Sequence, residues 1–283
     1  MTALVTAVLC AVIGAGVLYW LVFTTEGAYL GPRAVTYLYD KGASSYDRVK
    51  AFDPVDDAWD LARPLLSALK RARNPLVLDV ATGTGRLPLA LLRCLDFEGS
   101  IVGLDLSLRM LEEARRKTAG QEGRVTLVWK DGLVVPFSDE TFDAVCCVEA
   151  LEFMARPREA LREMVRVLRP GGTLLATNRV GLDALLMPGR SFSTQQLKGL
   201  LASLSLTAVE IKRWQTYYDL VWAKKEGDLV PGKTAGELRA ALRCPQCCEA
   251  PLAFAPAAVT CRRCRERYPI ERGVIMLERF NGK

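Results

Sequence analysis

The stretch Leu76-Val77-Leu78-Asp79-Val80-Ala81-Thr82-Gly83-Thr84-Gly85 leaves this chain few folds to choose from. Its apolar start reads as a buried strand. Gly83 and Gly85 then give a tight turn that brings backbone N–H groups close to a ligand. Leu87 to Leu95 continues with helical spacing. A second strand, Ser100 to Gly103, leads to Asp105, twenty residues after Gly85. An acidic residue at that distance usually holds a ribose diol. A third strand, Val125 to Trp129, ends at Lys130-Asp131-Gly132. Strands that alternate with helices build a parallel α/β sheet. The three aspartates fall at the carboxyl ends of successive strands, where such sheets bind ligands.

The rest of the central region continues the pattern. Ala144 to Val148 reads as a fourth strand. Pro157 to Leu168 places Leu161, Met164, Val165 and Leu168 on one helical face, and Arg169-Pro170-Gly171-Gly172 ends that helix. A fifth strand is expected at Thr173 to Thr177. Ser193 is placed to cap a following helix. Val209 to Trp214 and Tyr217 to Ala223 read as a final antiparallel pair. The expected architecture is α/β, a doubly wound, seven-stranded, Rossmann-like sheet.

A glycine-rich turn alone does not choose its ligand, and a nicotinamide dinucleotide is the obvious competitor. Pro88 occupies the third glycine position, where close helix–strand packing asks for Gly or Ala. Asp79 ahead of the turn repels a pyrophosphate but attracts a cation. A ligand with ribose, adenine and a cationic amino-acid tail fits better, and S-adenosylmethionine is such a ligand. From about Tyr37 to Lys225 the chain resembles the class I S-adenosylmethionine-dependent methyltransferases, in particular the small-molecule group with the quinone and sterol methylases. The resemblance rests on DVATGTG, VGLDLSLRMLEEAR, DGLVVPFSDETFDAV and REALREMVRVLRPGGTLLATN. It implies that Asp79 faces the methionine amino group, and that Ala81, Gly83 and Gly85 lie against the methionine and ribose. It further implies that Asp105 grips the ribose hydroxyls, that Leu106 and Met110 flank the adenine, and that Asp131 with Gly132 reads its amino group.

Ala3 to Phe23 contains no charged residue. These twenty-one residues span roughly 30 Å as a helix, the thickness of a bilayer's hydrocarbon core. Tyr19 and Trp20 lie at one end, as interfacial aromatics do. A signal peptide would carry a positive amino-terminal region and a shorter apolar core. The expectation is a single-pass membrane helix over residues 1–25. Arg33 and Lys41 follow it, which places the catalytic part on the cytoplasmic side. Residues 26–70 are expected as a helical segment over the active site, and residues 71–225 as the catalytic domain. The net charge of +6, from 38 basic and 32 acidic residues, is no nucleic-acid footprint and suits an anionic membrane surface. The nine cysteines are odd in number, which argues against a secreted disulfide framework.

Residues 226–238, with Pro231-Gly232, read as a linker that separates two cores. Cys244-Pro245-Gln246-Cys247 follows, and after thirteen residues Cys261-Arg262-Arg263-Cys264. Two such pairs signal a structural Zn2+ bound by Cys244, Cys247, Cys261 and Cys264. A ribbon over residues 239–283 is too small to fold on apolar burial alone, so the metal supplies folding energy. Cys248 is spare. CPQC and the tail from Arg267 to Leu277 resemble a family of small zinc-binding proteins that dock on tRNA and protein methyltransferases as activating subunits. The chain departs from the larger members in lacking a helical insertion between the cysteine pairs.

Methyl transfer from a sulfonium is an in-line displacement, governed mainly by positioning. With no histidine in the chain, the commonest general base is excluded. Glu149 and Glu152 follow the fourth strand where the family places the methyl acceptor, and Tyr37, Tyr39 and Tyr46 are further candidates. No Asn/Asp-Pro-Pro-Tyr/Phe sequence occurs there, which by resemblance disfavours adenine and glutamine amides as acceptors. Two readings stand. In one, a membrane-anchored enzyme methylates a lipophilic small molecule such as a quinone or lipid precursor. In the other, a fused activating ribbon serves RNA or protein methylation.

Overall fold

The computed structural model describes residues 1–228 and 235–278. Helix α1 (Thr2–Tyr19) runs on through a π-helical turn (Trp20–Thr24). Four helices follow: α2 (Pro32–Gly42), α3 (Tyr46–Lys50), α4 (Pro54–Asp57) and α5 (Arg63–Leu69). The alternating region comprises β1 (Leu76–Val80), α6 (Arg86–Leu92), β2 (Ser100–Asp105), α7 (Leu108–Lys117), β3 (Val125–Trp129), β4 (Phe142–Cys147), α8 (Pro157–Val167) and β5 (Leu168–Arg179). It closes with α9 (Leu182–Leu185), α10 (Thr194–Ser203), β6 (Leu206–Trp214) and β7 (Tyr218–Lys225). The carboxyl-terminal part holds α11 (Ala235–Ala241), β8 (Ala253–Ala255), β9 (Ala258–Thr260), β10 (Arg267–Glu271) and β11 (Val274–Met276). Residues 229–234 of the expected linker lie outside the described residues.

The strands form one sheet in the order β6-β7-β5-β4-β1-β2-β3-β11-β10-β9-β8. β3, β2, β1, β4 and β5 are mutually parallel, and β6 and β7 run antiparallel at one end. The chain leaves β1 towards β2 and later returns to its other side with β4, so the switch point of the winding lies beside β1. That is where an open α/β sheet binds its ligand. A buried ion pair fixes this join. Arg169 donates to Asp143 Oδ1 at 2.8 Å, and the Leu76 N–H donates to Asp143 Oδ2 at 2.7 Å. α8 buries Leu161, Met164 and Val165 as its spacing predicts. α10 carries a complete capping box between Ser193 and Gln196.

The sheet has eleven strands where the sequence reading expected seven. The four additional strands come from the cysteine-bearing segment. β11 pairs in parallel with β3, Val274 against Leu127 and Met276 against Trp129. Without β11, β3 would present an open edge of unpaired backbone groups. Val274 buries itself with Leu111, Ala114 and Leu127. Leu242, Leu252, Val259, Tyr268 and Ile275 belong to the same apolar core as Val135, Phe137 and the central strands. The expectation of two separated cores is therefore corrected: apolar side chains on both sides of the linker share one.

α1 has no buried residue. A core helix of that length would be covered by its own protein; this one is apolar and bare. With its π-helical turn it runs 23 residues, Thr2–Thr24, long and apolar enough to cross a bilayer.

Candidate cofactor and acceptor site

The carboxyl ends of β1, β2 and β3 border a cleft of about 1070 Å³, its open mouth included. Asp79, the fourth residue of β1, is buried. Its Oδ2 accepts from the Thr82 hydroxyl at 2.6 Å. Asp105 ends β2, and its carboxylate is fixed from both sides. Oδ2 accepts from the Gly83 N–H and Oδ1 from the Ser107 N–H, each at 2.8 Å. Gly85 caps α6 with φ of +85°, and a Cβ there would press on Ala114 at 3.3 Å. At Gly132 a Cβ would lie 2.8 Å from Val80, so the backbone after β3 can close onto β1 only as glycine. Asp131 accepts from the Leu133 N–H at 2.9 Å.

Asp79, Ala81, Gly83, Asp105, Leu106, Asp131 and Gly132 all line this cleft. Gly85 and Met110 do not. Gly85 shapes the turn from behind, and Met110 is buried near the start of α7. Burial pushes the Asp79 carboxyl up to about 7, with Asp105 adding to the rise and the Thr82 bond opposing it. Burial likewise pushes Asp105 up to about 6 against three opposing backbone hydrogen bonds.

These shifts have a readable consequence. Both carboxyls are held above the usual carboxylate range in the fold, so their neutral forms favour the empty protein. That contribution is complete below about pH 4 and is lost as pH rises through 6 and 7. A ligand bearing a cation and two hydroxyl donors needs the ionised forms. The affinity for S-adenosylhomocysteine is therefore expected to rise between pH 5.5 and 7.5, while these groups lower the melting temperature of the empty protein over the same window. Calorimetric titration and thermal melts at fixed ionic strength check both; a pH-independent affinity would remove these carboxylates from the binding site.

The opposite wall is aromatic. Phe153, Tyr39, Tyr46 and Phe52 make a run of ring contacts at 5.9, 5.8 and 5.8 Å. Three of these rings come from the segment after α1, which thus roofs the cleft. Beyond Phe52 lies Arg86, whose guanidinium stacks 4.0 Å from the Phe52 ring. Arg86 donates to Asp57 at 2.7 and 2.9 Å and to Glu149 Oε1 at 2.6 Å. Lys50 donates to Glu149 Oε2 at 3.2 Å. Glu149 follows β4 in a left-handed conformation, φ of +53°, unusual for a residue with a side chain. Its N–H donates to the Thr177 hydroxyl at 2.7 Å.

The structure separates the candidate bases. Glu149 lines the cleft. Glu152 is buried behind the wall, where it accepts from the Tyr218 hydroxyl at 2.6 Å. Tyr37 is exposed. Tyr39 donates to Glu26 at 2.7 Å. Burial raises Tyr46 well above the usual phenol range, with Glu149 adding to the rise, so its ring enters the cleft as a neutral phenol. Of the Arg86–Asp57–Glu149–Lys50 cluster, the sequence pointed to Glu149 alone; Arg86, Asp57 and Lys50 carried no signal of their own.

The four cysteines also converge. The Sγ atoms of Cys244, Cys247, Cys261 and Cys264 lie within 4.8 Å of one another. Cys244 and Cys264 are 3.6 Å apart, and Cys247 and Cys261 3.5 Å. A Zn–S bond of about 2.3 Å gives a tetrahedron with edges of about 3.8 Å, so this set fits the ion. The Tyr268 hydroxyl lies 3.1 Å from Cys244 Sγ, and the Cys264 N–H donates to Cys261 Sγ at 3.5 Å. Such donors stabilise thiolates. Cys248 is exposed and outside the cluster.

The sequence profile described as methyltransferase domain matches residues 77–172. These residues carry a methyltransferase domain. The methyltransferase domain is similar to curated proteins as well. A demethylmenaquinone methyltransferase of Clavibacter sepedonicus is 36% identical over 146 residues, 51% of this chain and 57% of that protein. The ubiquinone/menaquinone biosynthesis C-methyltransferase UbiE of Syntrophotalea carbinolica is 37% identical over 141 residues, 49% of this chain and 58% of that protein. The chain thus spans little more than half the length of the curated relatives it matches.

Among solved structures, the fold is shared with one chain of the complex between the Haloferax volcanii Trm112 methyltransferase activator and a candidate methyltransferase. The TM-score is 0.52 at 22% identity, covering 67% of this chain and 98% of the other. A candidate S-adenosylmethionine-dependent methyltransferase of Methanococcus maripaludis gives a TM-score of 0.52 at 19% identity, covering 68% and 95%.

Proposed function

We propose that this chain transfers a methyl group from S-adenosylmethionine to a lipophilic aromatic small molecule of the quinone class, at a membrane surface. The observation that carries the reading is the aromatic run Phe153–Tyr39–Tyr46–Phe52, which faces the aspartate-bearing strand ends across one cleft. Flat rings prefer stacked and edge-on partners. Tyr39, Tyr46 and Phe52 belong to the segment that leads out of the apolar helix. The relatives named for quinone methylation support the same acceptor class.

In this reading Asp79 holds the methionine amino group, Asp105 the ribose, and Leu106, Asp131 and Gly132 the adenine. The cofactor supplies the electrophilic methyl. Glu149 is the carboxylate placed to take the acceptor's proton. Residues 1–25 anchor the chain with the catalytic part on the cytoplasmic side, residues 26–70 roof the cleft, and the cysteine cluster holds one structural Zn2+.

Incubation with labelled cofactor tests the acceptor: label should enter a lipid extract and not an RNA or protein fraction. The reverse result would favour RNA or protein methylation served by a fused activating ribbon. The anchor has its own test. Removing residues 1–19 is expected to give a soluble protein of unchanged cofactor affinity, because α1 has no buried residue, while Trp20 and Leu21 keep their bonds to the body. Aggregation of this truncation in detergent-free buffer, or lost cofactor binding, would make α1 part of the fold.

A further inference from the structure

We propose that α9 and the residues around it form a membrane-contact face whose partner is the bilayer itself, an inference that rests on reading α1 as a spanning helix. Leu182 and Leu185 are 80% and 77% exposed, and Leu186 beside them is exposed as well. A single exposed leucine is ordinary. Three within five residues, two on the four-residue helix and one directly after it, make a patch that water does not favour.

What covers it follows from its position. The Trp20 indole N–H donates to the Leu186 carbonyl at 2.9 Å. The Tyr29 hydroxyl donates to the Pro188 carbonyl at 2.7 Å, and the Trp20 and Tyr29 rings stack at 5.0 Å. The depth of the apolar helix's end therefore sets the depth of the leucines. Tyr19 and Phe23, exposed and stacked at 5.2 Å, mark the same level. Aromatics gather at that level in membrane proteins. A helix that crosses the bilayer and carries Trp20 in its last turns holds Leu182, Leu185 and Leu186 against the lipid.

The inner side of this plate touches the cleft. Met187 is fully buried, packed with Ala28 and Phe153. Phe153 is the first ring of the aromatic wall. Arg190 ties the plate down through the carbonyls of Ala28 and Met154. One layer of side chains, Met187 against Phe153, separates this face from the cleft.

The test uses the full chain in vesicles of phosphatidylglycerol and brominated phosphatidylcholine, with Leu185→Trp compared with Leu95→Trp. Leu95 is 98% exposed, at the amino-terminal edge of the sheet before β2. Both positions are exposed, so neither substitution disturbs the core, and unchanged cofactor binding verifies this for each. The added fluorescence of Leu185→Trp over the unsubstituted chain is expected to be quenched several-fold more than that of Leu95→Trp. Alkaline carbonate extraction reports α1 separately. A chain retained by the vesicles with equal quenching at both positions overturns the contact face alone, as it would if a second copy of the chain covered α9. A chain that carbonate removes, yet quenched at 185, supports the face and sinks the anchor. Removal with no quenching sinks both.

Discussion

Replacing Cys261 by serine is expected to lower cofactor affinity as well as metal content, and to lower the melting temperature of the whole chain. The reason lies in where the ribbon ends. β11 is hydrogen-bonded to β3, and the N–H groups of Leu277 and Glu278 both donate to the Trp129 carbonyl, at 3.1 and 2.9 Å. Glu278 Oε2 then accepts from Lys130 at 2.7 Å and from the Asp131 N–H at 3.0 Å. The segment that bears the four cysteines thus grips the loop proposed to meet the adenine. Arg272 reaches Glu112 on α7 at 2.6 Å as a second tie. Losing a structural metal site is among the few single changes that cost more than about 4 kcal/mol. Here the loss would also bare Leu127 and part of the shared core. Metal analysis, thermal melting and titration with S-adenosylhomocysteine read the three effects. A variant without metal that still melts and binds like the parent would show that the ribbon is an independent appendage. Cys248→Ser serves as control and should change none of the three, since Cys248 lies outside the cluster.

Why sequence could find the cluster but not its attachment is a matter of range. Cys244, Cys247, Cys261 and Cys264 announce themselves by spacing, and the strand-end positions of Asp79, Asp105 and Asp131 follow from alternating period. Both signals are local. The β3–β11 pairing joins Leu127 to Val274 across just over half the chain, and three apolar residues in Val274–Met276 do not name a partner. The four-residue cluster at the acceptor end has the same difficulty. Lys50, Asp57 and Arg86 reach Glu149 from three separate elements, and each alone reads as a solvated charge. Asp143 is a different failure. A fully buried carboxylate in a central strand contradicts the apolar pattern, and becomes intelligible only when Arg169 closes on it. Tyr39 and Tyr46 stood out singly as candidate bases, but their run with Phe52 and Phe153 was not legible, because Tyr39 and Tyr46 lie on separate helices, Phe52 falls between helices and Phe153 comes from beyond β4.

Asp105→Ala should weaken S-adenosylhomocysteine binding by about 2–3 kcal/mol, the scale of charge-assisted hydrogen bonds to two hydroxyls, or about 30- to 160-fold. Asp105→Asn separates charge from shape. An amide oxygen can still accept from the Gly83 or the Ser107 N–H, so the turn keeps much of its support. The ionised carboxylate is disfavoured in the empty fold, since burial holds its proton up to about pH 6. At pH 8 the asparagine variant is therefore expected to melt no lower than the parent while binding about tenfold more weakly, the signature of a group kept for its ligand at some cost in stability. At pH 5 the difference in melting temperature should shrink, because the parent's own carboxyl is then largely protonated. The comparison also distinguishes Asp105 from a purely structural residue: a helix-capping or loop-bracing aspartate would lose stability on becoming asparagine at pH 8 and leave affinity nearly alone. That outcome would take Asp105 out of the ribose site and leave Asp79 and Asp131 to account for the cofactor.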